Sequence, residues 1–165
     1  MTKVYLLLLL LSVSKLFAQD TIFFDRSWHS TERKLAHYYR LTNELEEGEL
    51  WEYKDYFLES GKIQYVGYFT SISPKERTKV HTWYYENGKR KIEGEFIEDK
   101  REGEWTYFYD SGQKKKQGVF DGGFRSGSWT WWHEDGTIES KATYAKGKIV
   151  DERLWYFKNG KLYRK

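Results

Sequence analysis

The side chains best suited to metal ligation or acid–base chemistry are four histidines, His29, His37, His81 and His133. An imidazole changes charge near neutral pH and offers a metal-binding nitrogen. None of the four has a partner at close ligand spacing. Aligned on a period of 24 residues, His81 falls with Trp105 and Trp129, and His133 falls with Tyr85, Tyr109 and Phe157. Both therefore read as substitutes for aromatic rings. The acid pairs Glu46-Glu47 and Glu93-Glu95 fall in turns or at alternate strand positions, where a solvated face is expected. The glycine-rich "GGFRSG" (122–127) lies between two short strands and lacks the helix N-terminus that a phosphate-cradling loop requires. There is no cysteine, which removes disulfides, a lipid-anchored N-terminal cysteine and thiolate metal sites. The expectation is a non-enzymatic protein with no catalytic residues, no cofactor and no metal.

Positive charge is the other concentrated chemistry. Lys114-Lys115-Lys116 lies among aromatics, a combination that suits anionic lipid or nucleic acid. Strand alternation places Lys115 opposite Lys114 and Lys116, which divides the run. Elsewhere acids and bases alternate nearly one for one. The formal charge of +3 falls to about +1 if the first 18 residues are removed, because they carry Lys3 and Lys15 and no acid. Nucleic acid is therefore not an expected partner. Anionic lipid stays open as the alternative to a protein.

Those first residues read as an export signal. Lys3 precedes an apolar run from Val4 to Leu11 with six consecutive leucines. That run is too short for a bilayer span, which needs about 20 apolar residues. Cleavage is expected near Ala18, so the chain divides into a signal peptide at 1–18, a capping segment at 19–50 and a repeat region at 51–165. The destination is the periplasm or the cell exterior.

The elements that position these side chains come from a repeat. Turn glycines fall at Gly61, Gly88, Gly112, Gly136 and Gly160, with a steady gap of 24 after the first interval of 27. The extra three residues coincide with the loop around Pro74, the sole proline. Three units, 81–104, 105–128 and 129–152, each read strand, turn, strand, turn. A divergent unit at 54–69 opens the series and a partial one at 153–165 closes it. Asn87-Gly88, Asp135-Gly136 and Asn159-Gly160 suit type I′ hairpin turns. With a two-residue turn at Ser111-Gly112, Trp105 faces Gly118 and Phe120 faces Gly103. The next unit pairs Trp129 with Ala142 and Tyr144 with Gly127. A ring opposite a minimal side chain covers exposed backbone.

Aromatic residues make up 19% of the chain and fall on both faces of the strands. Ladders are expected at Trp83, Tyr107, Trp131 and Trp155, and at Phe96, Phe120 and Tyr144. Tyr84, Phe108, Trp132 and Tyr156 lie on the opposite face and are the candidate partner-binding residues. In the capping segment, residues 30–40 hold a short helical turn before a strand through Tyr38 to Leu41, with a polar turn at 44–49. The fold class is all-β: an elongated single-layer antiparallel sheet of tandem hairpins with a short N-terminal cap. Lys161, Arg164 and Lys165 would discourage edge-to-edge association at its end. Position 142 is Ala and position 151 is Asp where a stricter copy has Gly, so the last full unit is expected to be the least regular.

The aromatic strand before each Asn/Asp/Ser-Gly turn, then "GKRKIEGEF" (88–96) and "GQKKKQGVF" (112–120), followed by Gly103 and Gly127, resembles the MORN-repeat-variant family of bacteria. That family includes proteins called YwqK-type antitoxin components. The likeness covers about residues 54–165, and residues 23–69 also look like exported Bacteroidetes-type members. It implies a MORN-like hairpin repeat fold and a protein-interaction role, with capture and neutralisation of a toxin as the antitoxin-like form of that role. The partner is then another protein.

Overall fold

The computed structural model describes residues 21–46, 49–70 and 76–164. The expected signal peptide at 1–18, the Pro74 loop and Lys165 lie outside the described residues. Among the described residues thirteen strands form one open antiparallel sheet: β1 Ile22–Phe24, β2 Tyr38–Glu46, β3 Leu50–Phe57, β4 Ile63–Phe69, β5 Arg77–Tyr84, β6 Arg90–Ile97, β7 Lys100–Phe108, β8 Lys114–Asp121, β9 Phe124–Trp132, β10 Ile138–Ala145, β11 Lys148–Ile149, β12 Leu154–Tyr156 and β13 Leu162–Arg164. Sequential strands are neighbours throughout, except that β10 pairs both β11 and β12. At roughly 4.8 Å per strand, the path spans about 50 Å. The expected helical turn is a 3-10 turn, Arg33–Leu35. The strand after it runs on to Glu46 and pairs with β3 along its length, so the described part of the expected cap adds strands to the same sheet.

The registers expected across β7–β8 and β9–β10 are present: Trp105 faces Gly118, Phe120 faces Gly103, Trp129 faces Ala142 and Tyr144 faces Gly127. The turn type differs. Gly112 N–H donates to Tyr109 O at 2.9 Å, and Tyr109 N–H donates to Gln113 O at 2.8 Å, which makes a three-residue loop. Gly112 is its left-handed residue, with φ +91°. This is a type I turn closed by a glycine bulge. The Asn87 carboxamide accepts from Lys89 N–H at 2.9 Å, and Asp135 and Asn159 make the same local bond. That bond favours the turn over the positive φ that type I′ would demand of them. A bulge two residues further along restores the expected register. The type I′ geometry occurs instead in the return turns, where Glu98 and Asp99 have φ +47° and +64°, and Gly122 and Gly123 have φ +55° and +91°.

The core lies on one face and consists of edge-to-face rings. Trp105 and Trp129 are fully buried. Phe96 meets Trp105 at 88° and 5.1 Å, and Phe120 meets Trp129 at 90° and 5.2 Å, the geometry that the ring quadrupole prefers. Both indole N–H groups are satisfied, by Glu95 O at 3.2 Å and Val119 O at 3.1 Å. The two expected ladders share this face and are bridged by the buried tryptophans.

Glycine has two separate jobs here. A Cβ on Gly118 would sit 2.2 Å from Trp129 Cδ2, and one on Gly94 would sit 2.2 Å from Trp105 Cδ2. The covering ring therefore comes from the following strand, not from the residue directly opposite. A Cβ on Gly103 would meet nothing within 4 Å, and its glycine is favoured by φ +64° in a bulge. Lys79 occupies the equivalent place with φ +59°. The last unit departs most: where β9 is one strand, its counterpart splits into β11 and β12. Asp151 there replaces the bulge glycine and Arg153 replaces the covering tryptophan. With Arg153 in place of that tryptophan, Ala142 is accommodated.

Candidate functional site

Cross-strand registry puts one row of side chains along the core face: Tyr65, Trp83, Ile92, Tyr107, Lys116, Trp131, Ser140 and Trp155. Trp83, Tyr107, Trp131 and Trp155 are half-buried, because among the described residues no second layer lies over the sheet. Cations cap the rings. Lys116 Nζ stands 4.2 Å from the Tyr107 ring centroid. The Arg153 guanidinium lies 4.1 Å from Trp131 and 4.4 Å from Trp155, and donates to the buried Ser140 Oγ at 2.8 Å. Beside this row, Arg77 covers Phe96, Arg101 covers Trp105 and Phe120, and Arg125 covers Trp129 and Tyr144. A guanidinium over a ring face adds electrostatic attraction to the area it shields.

Tyr84, Phe108, Trp132 and Tyr156 fall together on the other face. Phe108 is 9% exposed beneath the Arg90 guanidinium at 4.9 Å. Tyr84, Trp132 and Tyr156 are half-buried and are the accessible members. The lysine run is divided differently from simple alternation. Lys114 pairs with Phe108 while Lys116 pairs with Tyr107, so Lys115 is the extra residue of a bulge. Lys114 therefore lies over Trp132 and Lys116 over Tyr107, on opposite faces. A bulge resets the alternation that strand parity assumes.

His81 is fully buried and takes the ring position. Its Nδ1 lies 2.6 Å from Tyr65 Oη and its Nε2 lies 2.9 Å from Tyr68 O. Nε2–H donating to Tyr68 O leaves Nδ1 to accept from the phenol. Burial lowers its pKa to about 4, against the backbone carbonyls of Tyr68 and Thr78, so it is neutral at pH 7. Burial likewise raises the Tyr65 phenol. Next to them, Arg40 donates to both oxygens of the buried Asp55 at 2.6 and 2.7 Å. Sequence reasoning missed this pair, whose residues lie on different strands and outside the regular units. Among the described residues no three His, Asp or Glu side chains gather as a metal-ligand set. The concavities are shallow, such as a groove of about 440 Å³ lined by Ser128, Lys141, Thr143 and Asp151. No helix among the described residues is long and apolar enough to cross a membrane.

Three consecutive stretches, 77–98, 101–121 and 125–146, match the family described as MORN repeat variant. Residues 77–146 are MORN-variant repeats. MORN repeats are generally protein- or membrane-interaction modules, and the open, ring-lined face suits that use. No curated protein sequence matches the chain. Among solved structures it is similar to a point mutant of S. aureus TarM in complex with fondaparinux, alpha-GlcNAc-glycerol and UDP, at 14% identity and a TM-score of 0.39. It is also similar to TarM itself, at 15% identity and a TM-score of 0.38. Each likeness covers 67% of this chain, and the chain spans 20% of those structures' length.

Proposed function

We propose that this MORN-repeat chain is an exported, non-enzymatic protein-interaction module that captures a partner protein in the antitoxin-like or immunity-like manner its resemblance implies. The observation that supports this reading is the half-buried row Trp83, Tyr107, Trp131 and Trp155, held in cross-strand register on an open sheet. Rigid rings bury large area on a partner at low side-chain entropy cost. Lys114 and Lys116 lie on opposite faces, so the lysine run does not act as one basic patch toward anionic lipid.

The test is a pull-down from the native cell envelope with the full chain as bait, followed by mass spectrometry. One stoichiometric protein is the expected result; recovery of lipid alone, or of nothing, would overturn it. Serine substitutions then locate the face. Loss of capture with Trp131→Ser and retention with Trp132→Ser assigns the core face, and the reverse assigns the face of Tyr84, Phe108, Trp132 and Tyr156. The β-type circular dichroism spectrum checks that each variant is folded.

A further inference from the structure

The repeat sets one arginine per unit, Arg77, Arg101 and Arg125, over equivalent rings, and among the described residues only the first meets a carboxylate. Asp99 N–H donates to Arg77 O at 3.1 Å in a return turn, while Gly123 and Gly147 hold the same place and donate to Arg101 O and Arg125 O at 3.0 and 2.9 Å. The Asp99 carboxylate accepts from Arg77 Nε, and its backbone oxygen accepts from Arg77 Nη2 at 3.3 Å. At Gly123 and Gly147 there is no side chain to do this. Arg101 and Arg125 donate instead to phenol oxygens, of Tyr107 at 3.3 Å and Tyr144 at 3.2 Å. Neither enters an ion pair among the described residues, and nor does Lys116. Lys116 stands over the Tyr107 ring, and burial together with the charges of Arg125, Lys115 and Arg101 lowers its pKa. Elsewhere on this face Arg40 is matched by Asp55 and Arg77 by Asp99, and Arg153 donates to the Ser140 hydroxyl.

We propose that Arg101, Lys116 and Arg125 form a carboxylate-binding site for an acidic segment of a protein partner, whose side chains take the place that Asp99 fills against Arg77. The inference rests on the reading of this sheet as a protein-interaction surface and names the chemistry of its partner. Charge complementarity carries it: Arg101 and Lys116 meet Tyr107 and Arg125 meets Tyr144, none of the three has an anion of its own among the described residues, and the acceptor that the fold itself uses at this arginine position is a carboxylate. Equivalent positions in adjacent units lie two strands apart, roughly 10 Å. The segment therefore presents two acidic side chains at about that separation.

The decisive variant adds the missing acid in cis. Gly123→Asp/Gly147→Asp would supply both arginines with the carboxylate that Arg77 already has. Asp99 adopts φ +64° in the equivalent place, whereas Gly123 and Gly147 have φ +91° and +79°, so each aspartate carries backbone strain and circular dichroism checks that the double variant is folded. A Cβ there would meet Lys100 Cβ at 3.8 Å and Phe124 Cδ1 at 3.4 Å, ordinary contacts. The probe is a fluorescein-labelled ten-residue polyglutamate peptide, read by anisotropy against the full chain. Binding to the wild type that weakens steeply with salt is expected, with affinity reduced at least tenfold in the double-Asp variant and about fivefold in Lys116→Gln. Unchanged affinity in the folded variants would overturn the site, as would binding to phosphatidylserine vesicles without binding to the peptide. The envelope pull-down separates the two readings. A protein captured equally by wild type and double-Asp variant sinks the site and leaves the interaction role standing, whereas an empty pull-down sinks the role and leaves the peptide titration to decide the site.

Discussion

The two ends of the core solve the same covering problem with different chemistry. In the central MORN units, an indole lies over each strand glycine, and its N–H is satisfied by one backbone carbonyl. At the N-terminal end of the core, His81 and Tyr65 cover Gly67 instead, and beside them the part-buried Arg40 pairs with the buried Asp55. The central solution depends on area and ring geometry, whereas the N-terminal one depends on every donor finding its acceptor. The first should be insensitive to pH and vulnerable to loss of volume. The second should tolerate modest changes of shape but not the loss of one partner.

The comparison breaks most easily at its largest ring. Trp129→Ala should cost about 3–5 kcal/mol by the usual cost of emptying a packed aromatic site, measured by urea unfolding. A loss below about 1 kcal/mol would mean that the central units do not depend on the indoles. Next comes Asp55→Ala, which strands the part-buried Arg40 guanidinium and should cost about 3 kcal/mol. Asp55→Ala/Arg40→Met should recover part of that loss, and failure to recover any would show that the pair is not the cause.

Acid gives the third effect. The His81 pKa is depressed to about 4 in the fold from about 6.5 in the unfolded chain. The neutral ring therefore contributes stability that is full above pH 6.5 and is lost as pH falls through 4. The span corresponds to about 3 kcal/mol. Hydrogen exchange at pH 5 should show faster opening of β4 and β5 than at pH 7, with β7 to β9 little changed, and the difference should disappear in His81→Phe. Uniform acceleration along the sheet would contradict the division of the core.

The smallest effect isolates backbone geometry. Lys79 and Gly103 share a bulge position with φ +59° and +64°. Lys79→Gly should therefore stabilise by about 1 kcal/mol and Gly103→Ala destabilise by about as much. Two shifts of the same sign in thermal unfolding would rule out backbone conformation as the reason for the glycine.

The sequence by itself determined the hairpin repeat, its 24-residue period and the cross-strand partners of Trp105, Trp129, Phe120 and Tyr144, because glycine spacing and ring spacing repeat locally and sheet order follows chain order. It also marked the histidine at position 81 as a ring substitute, since His81 falls in register with Trp105 and Trp129. Only the tertiary structure decided which turns are type I′, because Asn87 and Asp135 satisfy neighbouring N–H groups through their own side chains. It also decided which ring covers which glycine, since that depends on the strand beyond the hairpin. The splitting of the lysine run by the Lys115 bulge was likewise invisible to strand parity. The contrast between Arg77 with its Asp99 and Arg101 and Arg125 with glycines in that place is written in the chain. It acquires meaning only when the return turns bring residues 22 positions apart into hydrogen-bonding contact.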